Sequence, residues 1–198
     1  MTRLGRWRFL AMFAAVCMVG RPADAAMPRA DAAMLFREQV QQFADDLIGA
    51  GADVFLAQRT AYPAVAEAWR WRLPPALLFG MMVTESGLDP HARSRIGALG
   101  LLQIRPEVWV PSLGRLYGTD LRDPETNVRY GAHVVAVFAR RSGGRWDLTL
   151  QGYSGNARGY ALKVMRAIKR YGRRQCPSGD LDACVGLPLY WAYSGGTP

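Results

Sequence analysis

The sequence predicts a mainly α-helical protein with one folded domain, and three observations lead there. Apolar residues recur at helical spacing in one segment after another, while the alternating pattern of half-buried strands is scarce. Prolines stand where helices can open and glycines where they can close, so the chain is punctuated into separate helices. Of the 198 residues, those left after a leader is set aside suffice for one well-buried core and hardly for two. A hydrophobic content of 50% beside 21% charged residues argues against disorder.

The leader comes first. Arg3, Arg6 and Arg8 precede an apolar run from Phe9 to Gly20, and Pro22-Ala23-Asp24-Ala25-Ala26 supplies small residues in an Ala-x-Ala arrangement. This pattern is a secretory signal peptide over residues 1–25, and its apolar run is too short to span a bilayer as a helix. Cleavage removes four Arg and one Asp, so the formal charge falls from +9 to +6. A basic exported protein suits an anionic polymer such as the cell wall, although charge alone would suit nucleic acid equally. Cleavage also removes Cys17, leaving Cys176 and Cys184 around a short loop of Pro, Ser, Gly and Asp. In an oxidising compartment that pair is expected to form a disulfide. A zinc site needs further ligands, and His91 and His133 lie far along the chain from both cysteines.

A first helix is expected behind Asp31 as N-cap, with Met34, Leu35, Val40, Phe43 and Leu47 as its stripe and Gly49 and Gly51 at its end. A second is expected from about Pro63 to Trp71, and a third from Pro75 to about Ser86. Residues 87–100 are rich in Gly, Pro, Asp and Ser and read as loop. Further helices are expected over about Pro106–Leu113, Pro124–Arg140, Asp147–Tyr153 and Arg158–Tyr171, followed by an extended tail. There are no repeats and no low-complexity tract.

On the third helix Leu78, Met81, Met82 and Glu85 fall at i, i+3, i+4 and i+7. Glu85 therefore continues an apolar, core-facing stripe at the helix's C-terminal end. Desolvation and the partial negative charge of the last helix carbonyls both favour its protonated form, which a general acid needs near neutral pH. On this helix alone, a Glu turned outward to solvent is the better reading.

The surrounding sequence favours the first. Glu85-Ser86-Gly87 is followed by Ser94, by Gly97-Ala98-Leu99-Gly100-Leu101-Leu102-Gln103-Ile104, by Asn127-Val128-Arg129-Tyr130-Gly131 and by Gly152-Tyr153-Ser154. In order and spacing these resemble the soluble lytic transglycosylase (SLT) family, related to goose-type lysozyme, over about residues 66–171. The resemblance implies a single lysozyme-like α domain with Glu85 as the catalytic acid/base in its cleft. It implies Ser94 and Gln103 as polar positions near that Glu and the substrate's N-acetyl group, and Tyr153 as the tyrosine whose hydroxyl holds the carboxyl. Gly152-Tyr153-Ser154 departs from the family's Ala-Tyr-Asn, and Leu102 replaces its usual Met, a nearly volume-conserving change.

The resemblance further implies cleavage of MurNAc–GlcNAc strands of peptidoglycan. Glycosidases generally use two carboxylates, whereas here the motif supplies one. The substrate's N-acetyl oxygen can take the second part, with the muramyl 6-hydroxyl closing a 1,6-anhydro ring. Hydrolysis is the competing outcome, and an inactive peptidoglycan-binding adaptor the alternative from another class. No cofactor and no metal are expected. A serine elbow at Ser154 lacks the full Gly-x-Ser-x-Gly pattern, and nucleic acid is not expected as a partner.

Arg158, Lys163, Arg166, Lys169, Arg170, Arg173 and Arg174 make the last helix basic: a solvated face, or a contact surface for wall polymers or a partner. Trp69, Trp71, Trp109 and Trp146 are core candidates, with Trp109 able to stack on a sugar ring. The expected division is 1–25 signal peptide, 26–65 N-terminal helical segment, 66–172 transglycosylase domain and 173–198 tail. The expected setting is periplasmic, beside an envelope-spanning secretion, conjugation or pilus machine.

Overall fold

The computed structural model describes residues 29–177 together with Leu181 and Cys184. The expected signal peptide and the rest of the tail lie outside the described residues. Seven helices are present among the latter: α1 Arg29–Gly49, α2 Val54–Trp71, α3 Pro75–Ser86, α4 Pro106–Tyr117, α5 Pro124–Arg141, α6 Trp146–Tyr153 and α7 Tyr160–Tyr171. In place of strands, two isolated antiparallel bridges, Arg93 with Leu99 and Leu99 with Ile104, pin the segment between α3 and α4.

Helix α3 is the centre. Pro74 and Pro75 pre-set its first turn, and Gly87 at φ 63° closes it. Pro75 to Met82 are all buried, as expected of a helix that is apolar around its whole circumference. It packs on α7, α2 and α1. The approach to α7 is close because Gly80 has no side chain. A Cβ there would sit 2.6 Å from Ile168 Cγ1 and 2.9 Å from the Val164 carbonyl oxygen.

Helix α2 begins well before Pro63, where the sequence suggested a start. Asp53 is its N-cap, accepting from the Leu56 amide at 2.8 Å, and Pro63 lies inside the helix. The proline removes one backbone bond. Against that cost, Leu56, Ala57, Ala61, Ala64, Val65 and Ala68 form one buried stripe on both sides of it, and α2 lies against α5 and α1. Tertiary packing thus overrides the local signal, and the helix runs unbroken across residues 65–66. Similarly, α4 continues past Pro111 to Tyr117. Helix α7 starts at Tyr160 because Gly159 takes φ 72°, and Asp31 falls in the first turn of α1 and not at a cap.

The described residues after α7 are packed and not extended away from the body. Cys176 and Cys184 are bonded, with Cα atoms 5.5 Å apart, and both belong to the core cluster, as does Leu181 at 2% exposure. Gln175 Nε2 donates to Asp46 Oδ2 on α1 at 3.0 Å, and Arg174 lies 3.8 Å from Asp46 and 3.9 Å from Asp45. Apolar surface and ion pairing therefore bind this stretch to the body of the protein. No helix among the described residues is long and apolar enough to cross a membrane.

Candidate active site

The site is assembled where α3 ends, α6 ends and α7 begins. Glu85 is the penultimate residue of α3 and is half-buried, on the stripe above Leu78, Met81 and Met82, all fully buried. Burial pushes its carboxyl above the ordinary glutamate range, and a hydrogen bond from Tyr160 partly opposes this. Tyr160 Oη donates to Glu85 Oε1 at 2.6 Å. That bond occupies Oε1 and leaves Oε2 as the oxygen open to a proton. The tyrosine's own pKa is raised far above its usual value, by burial first and then by the neighbouring Glu85, so it remains a donor throughout the working range.

The tyrosine expected to hold the carboxyl was Tyr153, and here the structure corrects the sequence reading. Tyr153 Oη donates to the Leu102 carbonyl oxygen at 2.6 Å, while its ring stacks on Tyr160, with centroids 6.5 Å apart and planes 18° apart. Burial also pushes the Tyr153 hydroxyl well up, with Glu85 adding to it. Glu85 is thus held from α7, and Tyr153 supports the tyrosine that holds it.

Leu102 and Gln103 lie in the Gly-rich turn facing these helices. Gln103 adopts φ 47°, and its Nε2 donates to Gly100 O at 3.0 Å and Ala92 O at 3.2 Å. Both amide protons being used, Oε1 is left as an acceptor. Ser94 closes the neighbouring turn, its Oγ accepting from the Ala98 amide at 3.0 Å, which leaves its hydroxyl proton available. Gly100 is required twice over: it has φ 73°, and a Cβ would sit 2.5 Å from the Leu121 carbonyl oxygen and overlap the Asn127 carboxamide. Gln103, Tyr153 and Glu85 are therefore linked through the Leu102–Gln103 peptide, the Tyr153–Tyr160 stack and the Tyr160–Glu85 bond, while Ser94 bonds within its own turn.

Asp89, the nearest acid after Glu85, is exposed and accepts from the His91 amide at 2.8 Å. It forms a turn and brings no second carboxylate to the Tyr160 side of Glu85. Ser154 spends its hydroxyl at the end of α6, 3.1 Å from Gln151 O and 3.2 Å from the Ala157 amide, and no histidine approaches it among the described residues. His133 sits against Tyr117 Oη at 3.1 Å and the Trp71 ring at 4.5 Å. The indoles of Trp69 and Trp71 donate to Gln39 Oε1 and Glu67 Oε2, while Trp109 and Trp146 are partly buried against the core. No group of three or more His, Cys, Asp and Glu that could hold a metal occurs among the described residues.

Among the described residues, fold and site together define a mainly helical protein with a half-buried carboxyl of raised pKa, set at a helix end beside a pinned, glycine-rich turn. The profile of the transglycosylase SLT domain family matches residues 63–175, more than half of the chain, and the chain belongs to that family. Over 75 residues it is 30% identical to the endo-type membrane-bound lytic murein transglycosylase A of Klebsiella pneumoniae, a match covering 34% of this chain and 37% of the relative. Over 118 residues it is 30% identical to a transglycosylase of Enterobacteria phage PRD1, covering 52% of this chain and 40% of that one. The chain thus spans less than half the length of these curated relatives. Among solved structures it is similar to the 70 kDa soluble lytic transglycosylase of Escherichia coli, with a TM-score of 0.42 and 18% identity over 84% of this chain and 30% of that chain.

Proposed function

We propose that the protein is an exported lytic transglycosylase that cleaves the β-1,4 bond between MurNAc and GlcNAc in peptidoglycan, with Glu85 as its acid and then its base. The observation that carries this reading is the carboxyl's setting: Glu85 is desolvated, held by Tyr160 and, among the described residues, has no second carboxylate acting on it. In the first step Glu85 gives its proton to the glycosidic oxygen, and the C1–O bond breaks as the substrate's N-acetyl oxygen stabilises the cationic C1. In the second step the carboxylate takes the proton of the muramyl 6-hydroxyl, whose oxygen bonds to C1 and releases the N-acetyl group. Water is neither consumed nor formed, and Glu85 ends protonated. Ser94 and Gln103 would hold the N-acetyl group, and no cofactor takes part.

The test is incubation of the purified chain with sacculi, followed by mass spectrometry of the soluble products. Muropeptides lighter by one water than the hydrolysis products are expected, and none from Glu85→Gln, whose amide cannot donate the proton. Products with reducing ends only would make the enzyme a hydrolase, and no release at all would leave a binding adaptor.

A finer reading places the enzyme in the periplasm beside an envelope-spanning machine. Its support is the cationic outer face of α7, where Lys163, Arg166, Lys169 and Arg170 are all exposed. Reversing the charge of Arg166, Lys169 and Arg170 should spare sacculus cleavage but impair assembly of the host machine; unimpaired assembly would refute it.

A further inference from the structure

The turn that faces Glu85 is held from three helices at once. Ser86, the last residue of α3, sets its hydroxyl 3.0 Å from the Leu101 carbonyl oxygen. Asn127 on α5, fully buried, accepts from the Leu102 amide at 2.8 Å, and its own amide donates to Leu99 O at 2.9 Å and Leu121 O at 2.8 Å. Tyr153, the last residue of α6, donates to Leu102 O. The Leu102 side chain occupies space that a Cβ at Gly131 would overlap. Side chains therefore fix Leu102 at its N–H and its carbonyl, and its apolar end fills the space left by Gly131.

The next residue is the one whose conformation needs this support. Gln103 is held at φ 47°, a region that a residue with a side chain occupies only where its surroundings over-determine it. The Leu102 carbonyl and the Gln103 N–H belong to one rigid plane. A bond to that carbonyl sets the plane from which Gln103 departs.

We propose that Tyr153 is a positioning residue: by fixing the Leu102–Gln103 peptide plane it aims the Gln103 carboxamide oxygen at the N–H of the substrate's acetamido group. The chemistry of the exposed end agrees. Gln103 spends both amide protons on Ala92 and Gly100, so it presents an acceptor only, to which an acetamido N–H can donate and an acetamido carbonyl cannot. Tyr153 then acts through Gln103 and not on the sugar. This rests on the reading of Gln103 as a substrate contact given above.

The experiment compares sacculus solubilisation and amide hydrogen exchange for the wild type, Tyr153→Phe, Gln103→Ala and the double variant. Tyr153→Phe keeps the ring stack and removes one hydrogen bond. It should slow solubilisation about tenfold in the wild-type background, but less than about twofold where Gln103 is already Ala. The Gln103 and Ile104 amides should exchange about tenfold faster in Tyr153→Phe, with the melting temperature little changed. Equal losses of rate in the two backgrounds would overturn the proposal, because a merely structural residue would act on both alike. Exchange at the wild-type rate in Tyr153→Phe would overturn it as well. If the wild type solubilises nothing, the functional reading has failed instead. The exchange measurement, which needs no substrate, then upholds or overturns the tether on its own.

Discussion

In its proposed role Glu85 carries opposed demands, since the burial that suits it to acid catalysis also costs the folded state. Its pKa is raised above the ordinary 4.5, so the folded chain binds that proton more tightly than the unfolded chain. The stability this confers is complete below pH 4.5 and is lost as pH rises through the raised value. Gln at the same position has no charge to desolvate and can still accept from Tyr160. Thermal melts of Glu85→Gln should therefore match the wild type in acid and exceed it at neutral pH; a variant that melts lower at pH 7 would contradict the burial argument. Tyr160 pulls the other way, lowering the Glu85 pKa by its hydrogen bond. Tyr160→Phe should move the alkaline limb of the pH–rate profile upward and cut the optimal rate about tenfold. A limb that stays in place would show that the bond does not tune the acid.

At the scale of elements, the helices whose ends carry their own chemistry were legible from sequence. Helices α3 and α5 begin at Pro75 and Pro124, and α3 stops at Gly87; each signal is a backbone restriction that tertiary context seldom reverses. The start of α2 was hidden because Pro63 imitates a boundary, and only its buried stripe reveals that the helix continues. The spacing of α3 allowed Glu85 a place on the buried stripe, but only the motifs after it favoured that place over an outward one, and the glycine-rich turn was visible in the same motifs. Tyr160 stands outside the motif that holds Tyr153, yet it lies four and eight residues before Val164 and Ile168 on the buried stripe of α7. A tyrosine ending an apolar stripe is the same kind of signal as a glutamate ending one. Asn127 was visible as a motif residue, but its role depends on bonds across 25 to 28 positions, which no local pattern encodes. Asn127→Ala would leave one buried N–H and two carbonyls to find new partners, a loss of about 3 kcal/mol. Urea unfolding would test this, and a change below about 1 kcal/mol would show that the turn stands without it.

For the whole molecule, the clasp at the C-terminal end of α7 belongs to the core. A bond closing a separation of 8 residues removes about 2–3 kcal/mol of chain freedom from the unfolded state. Reduction, or Cys176→Ser with Cys184→Ser, should lower the melting temperature by roughly 5–10 °C; superimposable melts with and without reductant would show that the clasp contributes nothing. Deletion after Tyr171 should be worse, because it also uncovers Phe79, which lies against Gly172, and strips Asp46 of Gln175 and Arg174. Loss of cooperative unfolding is expected, and a truncated chain that melts like the full one would restore the view of a detachable tail.

The acid and the tyrosine that holds it ride on different rods, α3 and α7, which touch along Gly80. From Gly80 to Glu85 is five residues, about 7.5 Å along the axis. That contact works as a fulcrum: one methyl group inserted there must push against the Val164 backbone and tilt the rods, and the displacement is felt at the Glu85–Tyr160 bond. Gly80→Ala should therefore behave as an active-site lesion in a protein whose active-site residues are all intact.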